Sequence, residues 1–209
     1  MAKKVLTKVG VIAPTDRVPA ILTKERGFDT VVLYESLDKK LWPADLDIVV
    51  FCGGSDVTPY YYGERPHPST HNNVRRDAFE KEVYLRYKKI QKIGICRGAQ
   101  FLCVLNGGKL YQDIQGHHKP HSITDLFTGE VVEVTSDHHQ ACIPLPDWGI
   151  IANSTTKHAE TYNSVFDNIT FPEAFYVPKD GSLCVQFHPE WGLKSCEEYF
   201  FSLIERYID

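Results

Sequence analysis

Short runs of β-branched and apolar residues alternate along the chain with stretches in which apolar positions recur at helical spacing among charges. This alternation predicts an α/β chain. Residues 5–13 read as a first strand, after which Pro14 and Pro19 mark a turn. Residues 20–26 predict a short helix closed by Gly27, and residues 30–33 a second strand. The run Leu46-Asp47-Ile48-Val49-Val50-Phe51 stops at Gly53-Gly54, the pattern of a buried parallel strand ending at a functional edge. Residues 53–73 are rich in Gly, Pro, Tyr and His without periodicity, which predicts a long loop acting as a lid or pocket wall. Asn72 or Asn73 is placed to cap a helix over 74–89, where Val74, Ala78 and Leu85 recur near helical spacing. A short strand at 93–95 and a helix over 99–105, ended by Asn106-Gly107-Gly108, follow. The second half carries extended segments near 130–134, 150–153, 173–177 and 183–187 before a closing helix over 195–207.

Composition narrows the classes that this pattern allows. A chain of 209 residues with 43% hydrophobic and 24% charged positions suits one domain, residues 1–209, with a continuous core around a central sheet. A formal net charge of -4 and basic runs no longer than Lys3-Lys4, Arg75-Arg76 and Lys88-Lys89 argue against a nucleic-acid partner. No apolar segment has the length of a signal peptide or a membrane span, so a cytoplasmic protein is expected. The six cysteines form no CxxC pair, which disfavours a zinc ribbon or a disulfide scaffold; Cys52, Cys103 and Cys184 read as core thiols.

The candidate chemistry starts at Gly94-Ile95-Cys96-Arg97-Gly98, which has the G-x-nucleophile-x-G form of a nucleophile elbow, a tight strand-to-helix turn. The turn projects the sulfur outward at a helix N-terminus, where free backbone N–H groups and the positive end of the dipole favour a thiolate. A thiolate needs a base that can later protonate a leaving amine, and imidazole serves both steps near neutral pH. His188 is the candidate, because Pro189 ends the core-strand run before it and leaves the imidazole at the strand's carboxyl end. Glu190 can accept the second ring N–H and fix the tautomer. Oxyanion donors are expected from the backbone N–H of Arg97 and of Gly53 or Gly54. Each feature alone is compatible with a plain structural role; their combination points to acyl transfer.

Gly94-Ile95-Cys96-Arg97-Gly98-Ala99-Gln100 with Phe187-His188-Pro189-Glu190-Trp191 resembles the class I glutamine amidotransferase superfamily, and the likeness covers nearly the whole chain. Within it, Gly53-Gly54-Ser55-Asp56-Val57-Thr58-Pro59 through Tyr62-Gly63-Glu64, Arg76-Asp77 and Arg97 are most similar to the γ-glutamyl-γ-aminobutyrate hydrolase branch, the peptidase C26-like members. The resemblance implies a flavodoxin-like three-layer α/β sandwich with a mostly parallel central sheet. It also implies that Cys96 attacks a γ-carbonyl, that His188 and Glu190 complete the triad, and that Gln100 helps to hold the substrate. Gly116-His117-His118, His121 and Ser136-Asp137-His138-His139-Gln140 align loosely with histidine-bearing loops that border the family's pocket, with His138 on the substrate side. The stretch between Ala13 and Leu33 is shorter than in that branch and the pocket-loop residues differ.

The implied activity is cysteine-dependent hydrolysis of a γ-glutamyl amide, either glutamine or a γ-glutamyl amine, through a γ-glutamyl thioester on Cys96 and without a cofactor. Two alternatives stay open: a glutaminase subunit that passes ammonia to a separate synthetase, and a non-catalytic binding protein on the same fold. The expected partners are a small γ-glutamyl substrate and, in the first alternative, the synthetase, with a homodimer also open. The paired histidines would form a metal site only if their loops converged. Their spacing matches no strong zinc pattern and adjacent side chains diverge on extended chain, so they are expected to be solvated or pocket-lining, with no metal.

Overall fold

The structure is a computed structural model that describes residues 7–12, 15–33 and 38–208. The first strand is observed as β1 (Lys8–Ile12), while Val5, Leu6, Ala13 and Pro14 lie outside the described residues. Helix α1 (Arg17–Arg26) starts before the predicted residue 20, because Pro19 falls in the first turn, where its missing N–H would have had no intrahelical acceptor. Then come β2 (Asp29–Val32), β3 (Ile48–Phe51), α2 (Val74–Arg86), β4 (Gln91–Ile95) and α3 (Arg97–Leu105). The second half contains β5 (Lys109–Tyr111), β6 (Asp113–Ile114), β7 (His121–Asp125), β8 (Val131–Val134), β9 (Ala141–Ile143), β10 (Gly149–Glu160), β11 (Val165–Val177), β12 (Ser182–Val185) and α4 (Lys194–Tyr207).

Strands β2, β1, β3, β4 and β12 lie side by side and parallel. Every residue of β3 and β12 is buried, as central strands covered on both faces require. Alternation divides the core in two: Val9, Val11, Ile48 and Val50 join Leu22 of α1 and Phe200 of α4 on one face. Val49 and Phe51 join Phe79 and Val83 of α2 and Phe101 of α3 on the other. The result is the flavodoxin-like three-layer sandwich that the resemblance implies. Beyond β12 the sheet turns antiparallel through β11, β10, β7 and β8, with β6 on β10.

Two strands of the second half run well past their predicted extent. The segments expected at 150–153 and 173–177 are the inner ends of a hairpin whose strands are 12 and 13 residues long. Its outer half is largely polar and partly exposed, so it lacks the apolar alternation that marks a strand in sequence. The loop over 53–73 is a fixed wall. Asp56 and Asn72 form a β-bridge, the His71 N–H donates to Asp56 Oδ2 at 2.7 Å, and the Thr58 N–H donates to Asp77 Oδ2 at 2.9 Å. In its 3₁₀ turn Tyr62 is buried, Tyr61 packs edge-on to Phe101 and Tyr60 is exposed. All six cysteines are free and buried. Among the described residues no helix is long and apolar enough to cross a membrane.

Candidate active site

Parallel pairing of β4 with β12 sets Ile95 opposite Val185, so the residues that follow each strand emerge together at one sheet edge. Cys96 is the first of them, held at φ 50, ψ -112, a conformation that side-chain-bearing residues rarely adopt and that costs on the order of 1–3 kcal/mol. Its N–H donates to the Val185 carbonyl at 2.8 Å, and its own carbonyl accepts from the Gln100 N–H at 3.1 Å. The elbow demands glycine: a Cβ on Gly98 would collide with the Phe51 carbonyl, and one on Gly94 would stand 2.7 Å from the Ala99 backbone. Arg97 opens α3, and its N–H has no acceptor within the helix.

His188 follows β12 and is fixed by main-chain and ring contacts. Its N–H donates to the Thr135 carbonyl at 3.1 Å, and its carbonyl accepts from the Thr135 hydroxyl. The imidazole Nδ1 lies 2.8 Å from Glu190 Oε1, and Nε2 is left free of that contact, with Cys96 on the same side of Gly53 as the ring. Trp191 stacks on the imidazole with centroids 4.0 Å apart and planes 6° from parallel. Burial disfavours charge on this ring, but the hydrogen bonds to Cys96 and Glu190 outweigh it and push the His188 pKa up to about 10. Sulfur, imidazole and carboxylate thus stand in the order that the three roles require.

Gly53 sits directly over this array. A Cβ there would lie 2.8 Å from His188 Cε1 and 3.7 Å from Cys96 Cβ, so the backbone approaches both groups with no room for a side chain. Gly53→Ala is therefore expected to displace the imidazole and lower Cys96-dependent turnover on the order of 100-fold, read as kcat/KM beside a thermal melt. Gly54 has its side-chain space filled by the Arg76 guanidinium, which also donates to the carbonyls of Cys52 at 3.0 Å and Gly53 at 2.9 Å.

Arg76 belongs to a buried charge cluster behind the site. Its Nε donates to Glu80 Oε1 at 2.7 Å, and the wholly buried Arg97 guanidinium pairs with Asp77 and with Glu80. Arg97 Nε also donates to the Ser55 carbonyl at 3.2 Å, and its guanidinium lies 4.7 Å from the Phe101 ring centre. Two guanidinium groups and two carboxylates thereby hold residues 52–58, the loop that carries Gly53 and Gly54, against the start of α3. The sequence marked Arg97 for its backbone and missed Glu80, although Arg76 and Glu80 stand one helical turn apart.

A cavity of about 250 Å³ opens beside Gly53, Gly54, His188, Glu190 and Trp191, with Arg17 at its rim. Gln100 lies one turn into α3, buried, and its Nε2 donates to the Gln140 carbonyl at 3.0 Å. His138 is turned away from this cavity: its Nδ1 lies 2.9 Å from that same carbonyl and its Nε2 is 3.5 Å from Glu173 Oε1. His117 and His121 meet the same carboxylate at 3.3 and 3.0 Å. The loops therefore converge: one of each adjacent pair, His117 and His138, turns inward and is buried on Glu173, while His118 stays solvated as expected. His118 and His139 face Asp137 and Asp56 instead. Burial pushes the Glu173 carboxyl up, and the three imidazoles reverse this and hold it well below the usual carboxylate range.

A model of the peptidase C26 family matches residues 30–138. A Mycobacterium tuberculosis protein assigned as a glutamine amidotransferase is 33% identical over 171 residues, covering 71% of this chain and 52% of its own length. The carbamoyl phosphate synthase small chain of Helicobacter pylori is 30% identical over 103 residues, 49% of this chain and 25% of the relative. The chain thus spans about half the length of the first relative and a quarter of the second. The crystal structure of a Thermoplasma acidophilum protein assigned to GMP synthase superposes with a TM-score of 0.69 at 19% identity, covering 99% of this chain and 94% of the other, a likeness of fold. The chain belongs to the peptidase C26 family of the class I glutamine amidotransferase superfamily.

Proposed function

We propose that this chain hydrolyses a γ-glutamyl amide through a thioester on Cys96. The observation that carries the reading is the array of Cys96 at a positive φ, the His188 ring beside it beneath Gly53, and Glu190 Oε1 2.8 Å from the ring's Nδ1. With the thiol proton transferred to His188 Nε2, Cys96 Sγ attacks the γ-carbonyl carbon and the oxygen becomes an oxyanion. The N–H groups of Arg97 and of Gly53 or Gly54 receive that charge. The imidazolium gives its proton to the leaving nitrogen, the C–N bond breaks, and ammonia or an amine departs. Water then adds to the thioester, passing one proton to His188, which returns it to the departing sulfur. The sum is amide plus water to carboxylic acid plus amine. Gln100 keeps the substrate-side role, being one turn beyond the nucleophile, whereas His138 is engaged with Glu173.

The test compares wild type with Cys96→Ala on glutamine and on γ-glutamyl-γ-aminobutyrate, measuring released glutamate. Cys96-dependent turnover of the γ-glutamyl amine supports a stand-alone hydrolase. Turnover of glutamine that appears only with a synthetase present supports the ammonia-donating reading, which is favoured by the likeness to a carbamoyl phosphate synthase small chain. Absence of Cys96-dependent turnover in all three arms overturns both.

A further inference from the structure

Three histidines from two loops point at one carboxylate that no step of the proposed reaction uses. His117 precedes β7, His121 begins it, His138 lies between β8 and β9, and Glu173 sits wholly buried in β11. The distances from Glu173 Oε1 are 3.3 Å to His117 Nδ1, 3.0 Å to His121 Nε2 and 3.5 Å to His138 Nε2. The ligating atoms of His117, His138 and Glu173 all lie within 4.8 Å of one another. A tetrahedral ion with bonds of about 2.0–2.1 Å to nitrogen and oxygen has ligand-to-ligand edges of about 3.3–3.4 Å, the scale of these separations.

Proton placement supplies an independent observation. His138 Nδ1 lies 2.9 Å from the Gln140 carbonyl, which can only accept, so that nitrogen carries the hydrogen. A neutral His138 then aims the Nε2 lone pair at a carboxylate, which also offers only lone pairs. His121 differs: its Nε2 is hydrogen-bonded to Glu173 Oε1 at 3.0 Å, and its Nδ1 lies 3.3 Å from the Lys119 carbonyl. Among the described residues, His117 Nδ1, His138 Nε2 and Glu173 Oε2 have no hydrogen-bond partner although all are buried. Buried polar groups without partners are costly, and a cation among them would satisfy them together. The Gln140 carbonyl orients the His138 ring as the outer partner of a metal-bound imidazole does. A cavity of about 470 Å³ bordered by His117 and His121 gives an entry path.

We infer that His117, His138 and Glu173 form a site for one divalent transition-metal ion, zinc by its ligand set, with His121 as an outer partner held on Glu173 Oε1, and that the ion braces the loops behind His188. The brace is short: the His117 carbonyl accepts from the His138 N–H at 3.0 Å and from the Ser136 hydroxyl at 2.7 Å, and the neighbouring Thr135 clamps His188. The site does not depend on Cys96 chemistry.

The whole chain, dialysed against a chelator, is titrated with Zn²⁺ while its melting temperature is followed, and separately with Co²⁺ while its visible spectrum is recorded. One equivalent of Co²⁺ with the bands of a tetrahedral complex is expected, and Zn²⁺ at a hundredfold excess over its Kd should raise the melting temperature by about 5–10 °C. His121→Ala, at the more open edge of the cluster, is expected to fold and to weaken Zn²⁺ binding at least about tenfold. Cys96→Ala should leave the spectrum and the Zn²⁺ response unchanged. No Zn²⁺-dependent shift, no tetrahedral Co²⁺ spectrum, or undiminished binding by His121→Ala would overturn the inference and leave a cluster held by protons alone.

Discussion

Arg97→Met is expected to destabilise the fold by about 3–5 kcal/mol, because it leaves two buried carboxylates without the cation between them. Asp77 and Glu80 are wholly buried, and both pair with the Arg97 guanidinium. Arg76 reaches Glu80, whereas the Asp77 carboxylate is otherwise met by the Thr58 N–H and hydroxyl. For a chain of this size the melting temperature should fall by roughly 6–20 °C. Two controls separate charge from packing. Adding Asp77→Asn and Glu80→Gln to Arg97→Met should recover part of the loss, since replacing a whole buried cluster is far milder than removing one partner. Arg76→Met, at a partly open position, should cost less. Because Arg97 and Arg76 together hold the carbonyls of residues 52, 53 and 55, both variants should also lower turnover in whatever protein remains folded. A melt of Arg97→Met equal to wild type would mean that water replaces the cation and that the cluster contributes nothing to stability.

The parallel half of the sheet was legible because β3, β4 and β12 are covered on both faces and their burial shows as short apolar runs, Ile48 to Phe51, Ile93 to Ile95 and Leu183 to Val185, although the buried Lys92 of β4 gave no such signal. The elbow was legible for a related reason: steric demand at Gly94 and Gly98 is absolute, so the two glycines appear at fixed offsets from Cys96. The candidate His and Glu were readable from the proline that ends the strand between the core run and Glu190. What stayed hidden depends on contacts between distant segments. Thr135, which clamps His188 from both sides of its peptide, carries no local signal at all. Glu173 lies in a run with Phe171, Ala174 and Phe175, and a wholly buried carboxylate there asks for a cation or imidazoles, but nothing in the sequence says which loop supplies them. The outer halves of β10 and β11 were invisible because they pair chiefly with each other and are largely open to solvent, where polar residues serve as well as apolar ones.

Glu190→Gln is expected to lower kcat by about two to four orders of magnitude while leaving the fold intact, since the carboxamide keeps the shape but can no longer stabilise an imidazolium. The carboxylate contacts His188 Nδ1 at 2.8 Å through Oε1, and its Oε2 is buried with no hydrogen-bond partner among the described residues. Its charge is therefore matched chiefly by the ring. In the wild type that charge is one of the two influences that, against burial, push the His188 pKa up to about 10 from 6.5. The sign follows from linkage: a raised histidine stabilises the fold fully below its unfolded value, near 6.5, and that contribution disappears as the pH climbs through about 10. Removing the Glu190 charge should draw the upper end of this window towards neutrality. The basic limb of the kcat/KM profile, which reports the free enzyme, should move to lower pH, and the stability gap between wild type and variant should have its full size up to about neutral pH and close as the pH approaches 10. An unchanged basic limb in Glu190→Gln would show that the thiol alone sets the imidazole's charge and that Glu190 only positions it.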